Sequence, residues 1–128
     1  MKKTIELKET HDFLVSQGYA PIPSFKYGYV TKDGRVARML PNGGFRYCLN
    51  REFPQGMRTA IRNVATGKTE TKVIARLVYE TFVGEITEDI IYIDGNKNNP
   101  SLENLTTVSK ILDTIKRHDL LDEIKVGE

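Results

Sequence analysis

The spacing of apolar residues changes several times along the chain. Phe13, Leu14 and Val15 form the apolar part of a short helix within residues 1–18. That helix is expected to end at Gly18, and Thr10 offers a cap for a shorter version starting there. Residues 18–24 carry Pro21 and Pro23 and read as a loop. Tyr27, Tyr29 and Val30 are then followed by Asp33-Gly34 and by Val36, Met39 and Leu40. An Asp-Gly between two runs of β-formers predicts a hairpin. A second strand pair is expected from residues 45–49 and 57–64, with a turn at Thr66-Gly67-Lys68 and a return strand over 70–75. Arg58, Ala60 and Arg62 alternate imperfectly with Thr59, Ile61 and Asn63, as on a sheet with one wet face.

Helical spacing returns at Leu77, Val78, Phe82 and Val83, which predicts a short buried helix. Residues 90–93 form a short apolar strand, and residues 94–100 form a polar loop dense in turn formers. Residues 105–108 suit a brief strand. Ser109 is the expected N-cap of a last helix whose apolar stripe is Ile111, Leu112, Ile115 and Leu121. The order is therefore a helix, a β-rich middle, a helix, then strand, loop, strand and helix, which makes an α+β chain.

Composition adds little until charge is mapped by position. The chain has 128 residues, 39% hydrophobic and 28% charged, as expected of one globular domain. No apolar run approaches the roughly 18 residues of a membrane span. The start, MKKTIELKET, lacks the apolar stretch of a signal peptide, and a cytoplasmic protein is expected. A single cysteine, Cys48, excludes an internal disulfide and a cysteine-based zinc site, and reads as a small buried apolar residue. The net charge of +2 hides an asymmetry. Residues 26–76 hold eleven Lys or Arg against three acids, while residues 77–128 hold five against eleven. A basic segment before an acidic one points to a polyanion-binding face. A solvated sheet surface whose cations pair with the acidic tail accounts for it equally.

Residues 73–109 read VIARLVYETFVGEITEDIIYIDGNKNNPSLENLTTVS. Arg76-Leu77-Val78 with Phe82, then Ile93-Asp94-Gly95-Asn96-Lys97 with Asn99, then Asn104-Leu105, fall in three separated pieces. In sequence and spacing these pieces resemble the HNH unit of phage homing endonucleases. Tyr29-Val30-Thr31-Lys32-Asp33-Gly34-Arg35-Val36 is similar, more weakly, to the small β-domain that often precedes such units. The resemblance covers residues 27–116. It implies a small β-rich N-terminal part packed on a ββα HNH-like unit. The divisions it suggests are an N-terminal helix and loop (1–24), a basic β-rich region (25–72) and the ββα unit with its C-terminal helix (73–128), all in one compact domain.

The same resemblance implies a site that this chain does not keep intact. In the family a strand ends in Asp/Asn-His, and the histidine is the general base on water. The preceding residue and a residue of the final helix hold one divalent cation, and a later Asn orients the histidine. Here Ile91-Tyr92 stand in place of Asp/Asn-His, and Ala75 replaces a further motif histidine before Arg76. Isoleucine offers no oxygen to a hard cation. A phenol, with a reference pKa near 10, stays protonated near neutral pH. Asp113 falls where the helix ligand would be, nine residues after Asn104, and alone would hold a metal weakly. His118 is turned away from Asp113, and His11 lies outside the matched region; both read as surface residues. Asp94, Gly95, Asn96, Asn99 and Asn104 are expected to shape the loop.

These observations predict no catalytic residue and no required cofactor. The expected reading is a non-cutting HNH-like protein that binds double-stranded DNA or another nucleic acid in the cytosol of a phage-infected or bacterial cell. Its phosphate contacts would come from Arg35, Arg38, Arg46, Arg51, Arg58, Arg62, Lys68, Lys72 and Arg76, with Lys97 added by the resemblance. Phe25, Tyr27, Tyr29, Phe45, Tyr47 and Phe53 interleave with these cations and read as core. Two alternatives stand beside it. One is a phage-type inhibitor of a host nucleic-acid enzyme or defence effector, anti-CRISPR-like, with Asp119, Asp122, Glu123 and Glu128 mimicking phosphates. The other is a nuclease still active through an atypical base, which alone would need Mg2+.

Overall fold

The computed structural model of the chain describes residues 7–54 and 56–126, the last eight by backbone alone. The architecture is α+β. Helix α1 (Leu7–Ser16) precedes a four-stranded antiparallel sheet of β1 (Ala20–Pro21), β2 (Gly28–Val30), β3 (Val36–Met39) and β4 (Phe45–Cys48), in that order. A second antiparallel sheet follows, from β5 (Asn50–Phe53), β6 (Gly56–Asn63) and β7 (Lys68–Val73). Helix α2 (Ile74–Phe82) leads into β8 (Ile90–Tyr92), which pairs antiparallel with β9 (Leu105–Thr107). A single 3-10 turn at Leu102–Asn104 precedes β9, and α3 (Val108–Val126) follows it.

Period-two alternation in β2 and β3 sorts the core into two halves. Tyr29 and Ala37 join Leu14, Tyr19 and Met39 under α1. Val30 and Val36 face the other way, onto Ile61 of β6 and onto Ile74, Ala75, Leu77 and Val78 of α2. Thr10 does not cap α1. It lies within the helix, is buried, and donates its hydroxyl to the Gly43 carbonyl in the β3–β4 turn. A hydroxyl that turns inward needs such a partner.

The expected pairing of residues 45–49 with 57–64 is replaced by a different one. Residues 45–53 run as one strand broken at Leu49, which is 77% exposed. The first half pairs with β3, setting Phe45 opposite Met39 and Cys48 opposite Val36. The second half, β5, pairs with β6. The Asp33-Gly34 hairpin forms where expected, between β2 and β3. Gly34 there has φ +90°, and a methyl group on it would meet Pro100 Cγ at 2.6 Å. This close approach, with the Leu102 N–H donating to the Lys32 carbonyl at 2.7 Å, fixes the β8–β9 loop to the hairpin.

The last helix starts at Val108, and Ser109 lies inside its first turn. Thr107 is the cap, accepting from the Lys110 N–H at 3.4 Å. Ser109 instead gives its N–H and its hydroxyl to the Glu88 carboxylate, at 2.8 and 2.6 Å, which draws that carboxyl below its ordinary pKa. Ile111, Leu112 and Ile115 do make a stripe with Val108, but all four are exposed. Leu121, and the acids Asp119, Asp122, Glu123 and Glu128, lie outside the described side chains. No helix among the described residues is long and apolar enough to cross a membrane.

Candidate nucleic-acid interface

Ile91 and Tyr92 close strand β8. Tyr92 is packed against the larger core half, and burial pushes its phenol above the ordinary tyrosine range, with the Arg76 charge offsetting part of the shift. A methyl group on Gly56 would lie 3.1 Å from the Tyr92 phenol oxygen and 3.1 Å from the Lys97 carbonyl. The same carbonyl accepts from the Met57 N–H at 3.2 Å. The end of β8 and the following loop are thus seated on the β5–β6 turn.

The loop after Tyr92 is organised by Asp94 and Asn104. Asp94 Oδ1 accepts from the Asn96 N–H at 2.7 Å and from Asn104 Nδ2 at 2.9 Å, and Oδ2 accepts from Asn99 Nδ2 at 3.0 Å. Asn104 is buried. Its Oδ1 accepts from the Asp94 N–H at 2.9 Å, and its Nδ2 also reaches the Asn99 carbonyl at 2.9 Å. Gly95 turns the chain at φ +75°. These bonds hold the Asp94 carboxyl below the usual aspartate range, the Asn99 amide contributing most.

A groove of about 530 Å³ runs where β3 and β4 meet the second sheet. Five arginines line it: Arg38, Arg46, Arg51, Arg58 and Arg62. Register explains how they converge. Arg38 is directly opposite Arg46 across β3 and β4, and Arg51 is directly opposite Arg58 across β5 and β6. Arg58, Ala60 and Arg62 share one face of β6, while Thr59 and Ile61 are buried on the other. Thr69 and Thr71 of β7 complete the floor, so small side chains separate the cations. Tyr47, 64% exposed, and Phe53, 40% exposed, stand at its walls, and the Arg58 guanidinium lies 5.5 Å from the Phe53 ring centre. Like charges placed directly opposite each other weaken a sheet.

The chain is similar in fold to a solved structure, that of the HNH homing endonuclease I-HmuI, studied for its DNA binding and cleavage. The TM-score is 0.57 at 22% identity, over 79% of this chain and 57% of that one. Over that stretch the two chains share a fold. The chain spans little more than half the length of I-HmuI. No protein-family model matches the sequence, and no curated protein matches it.

At the positions that the sequence resemblance assigns to a metal, Ile91 and Asp113, the residues present do not fit a divalent cation. The Ile91 side chain has no ligating atom, and burial disfavours ionisation of the Tyr92 phenol. Asp113 is paired with Arg117 at 2.9 Å across one turn of α3. No group of three His, Cys, Asp or Glu among the described residues is placed to share an ion. A hard cation needs several oxygen ligands, preferably anionic, and one ion-paired carboxylate does not supply them.

The remaining expected phosphate contacts are dispersed. Arg35 is tied to Asp33 at 3.2 Å and lies over Tyr19, and Lys72 is tied to Glu70 at 3.4 Å. Lys68 is exposed where β7 begins. Arg76, on α2, lines a different hollow that also contains Glu70, Glu80 and Glu85. Lys97 sits in the β8–β9 loop at the β5–β6 turn. Phe25 and Tyr29 are core residues as expected, Tyr27 and Phe45 are partly buried, and Tyr47 and Phe53 are groove residues instead. Cys48, expected in the interior, is half-buried on the groove wall, and burial raises its thiol pKa. His11 is not a bare surface residue, because its Nδ1 lies 2.7 Å from the Tyr29 hydroxyl. No signal in the sequence separated Tyr47 and Phe53 from the core aromatics, since their exposure follows from the break at Leu49.

Proposed function

We propose that this protein binds double-stranded DNA through the five-arginine groove and does not cut it. The observation that carries this reading is the convergence of Arg38, Arg46, Arg51, Arg58 and Arg62 on one concave surface, two pairs of them in like-charge register. Such pairs cost folding stability and are relieved when phosphates enter between them. Absence of cleavage rests on Ile91 and Tyr92. Neither ligates a cation, and a neutral phenol is a poor base for water. The Asp94–Asn104 loop is kept for its own bonds and for its seat on the β-rich part.

The test is the salt dependence of binding to a dye-labelled duplex, followed by fluorescence anisotropy. Five phosphate contacts give a slope of log K against log salt of about −4.5. A slope near zero, or no binding at low salt, rejects the reading and favours a protein partner.

A further inference from the structure

The arginine groove adjoins a second, smaller hollow of about 320 Å³, at the lower end of the roughly 300–1,000 Å³ range of small-molecule sites. Tyr47 and Cys48 line both. Gln17, Tyr19, Arg35 and Asn50 also line the smaller hollow. Their chemistry differs from that of the groove. Tyr19 is 4% exposed, so its ring is covered and only forms the floor; the Tyr47 ring, 64% exposed and 6.4 Å from it at a tilt of 32°, is the aromatic face left open. The Arg35 guanidinium lies 5.8 Å from the Tyr19 ring, with its charge already matched by Asp33. It therefore presents a flat face more than a phosphate-seeking cation. The Asn50 amide is anchored by donation to the Gly34 carbonyl at 3.0 Å, and it keeps a second N–H and a carbonyl oxygen. Gln17 adds another amide.

Aromatic and guanidinium faces for stacking, with amides for the polar edge, are what an unpaired base requires. A base inside a duplex exposes neither face, so it reaches such a hollow only when it is extrahelical. Resting on the reading of the arginine groove as a phosphate track, we propose that this hollow receives one unpaired nucleobase against the exposed faces of Tyr47 and Arg35. The preferred ligand is then a duplex carrying a single extrahelical base, with the flanking phosphates on the five arginines.

The test compares a fully paired short duplex with the same duplex carrying one bulged 2-aminopurine. Anisotropy of a terminal dye reports binding, and 2-aminopurine fluorescence reports stacking. The bulged duplex is expected to bind about tenfold more tightly, with its 2-aminopurine quenched. Tyr47→Ala is expected to remove that advantage and the quenching, so that the variant binds the two duplexes equally. Tyr47→Phe, which keeps the ring, is expected to retain both. Equal affinity for the two duplexes, unquenched 2-aminopurine, or an equal loss on both duplexes in Tyr47→Ala overturns the base site and leaves the phosphate track standing. Failure of either duplex to bind at low salt overturns both.

Discussion

A methyl group on Gly56 would come within 3.1 Å of the phenol oxygen of Tyr92. The sequence resemblance expects a histidine at Tyr92. Here the side chain closes the junction between the end of β8 and the β5–β6 turn. Gly56 also has φ +126°, a conformation that side chains rarely adopt. Gly56→Ala is therefore expected to lower the unfolding free energy by about 1–3 kcal/mol, measured by urea denaturation. Tyr92→Phe, which keeps the ring packing, is expected to stay within about 1 kcal/mol of the parent.

Asn104 holds the β8–β9 loop through bonds to Asp94 and Asn99. Asn104→Ala leaves the Asp94 N–H and the Asn99 carbonyl without their partner in a partly buried setting. The expected cost is about 2–4 kcal/mol, again from urea denaturation. A loss below about 1 kcal/mol contradicts the role assigned to this residue.

The Asp94 carboxyl titrates below its ordinary range because of its bonds to Asn99, Asn96 and Asn104. Its folded pKa is lower than its unfolded one. Its contribution is therefore complete above the ordinary aspartate value and is lost as pH falls through the folded value. The urea midpoint is expected to hold steady from neutrality to about pH 5 and to drop below about pH 4. Asp94→Asn is expected to flatten part of that drop. An unchanged acid limb in the variant contradicts the assignment.

The arginine pairs predict opposite effects on folding and on binding. Arg38 and Arg46 are directly opposed, so Arg46→Gln removes a like-charge pair. Folding stability is expected to rise by about 0.2–1 kcal/mol. Duplex affinity is expected to fall, and the salt slope to become shallower by about 1. A variant that loses stability and keeps its affinity argues against the groove as a phosphate track.

Thr107 caps α3 through the Lys110 N–H. Thr107→Ala is expected to cost about 1 kcal/mol in thermal or urea denaturation. Ser109→Ala keeps the backbone bond to Glu88 and is expected to cost less.

Local chemistry made part of this structure legible and long-range register hid the rest. The Asp33-Gly34 turn, α2 and the β8–β9 unit follow from turn residues and apolar spacing, and the structure has them. Strand β5 carries no such signal, because Asn50, Arg51, Glu52 and Phe53 are all exposed and show no apolar alternation. Without β5, residues 45–49 stand as the apparent partner on the other edge of β6, opposite the return strand, and the break at Leu49 is hidden. The same gap concealed the groove. Arg58 and Arg62 share a face by simple alternation, but the opposition of Arg38 to Arg46 and of Arg51 to Arg58 depends on pairings that composition does not encode. At the N-terminus of α3, both Thr107 and Ser109 suit a cap. Glu88, distant in sequence, decides between them by taking both Ser109 donors.

The most direct measurement incubates the purified protein with supercoiled plasmid at low salt in Mg2+ or Mn2+, then runs the mixture on a gel before and after protein removal. Binding without cleavage gives a retarded band that salt abolishes and that returns as intact supercoiled DNA once the protein is removed. Nicked or linear plasmid whose appearance depends on the metal and vanishes in Asp113→Ala contradicts it.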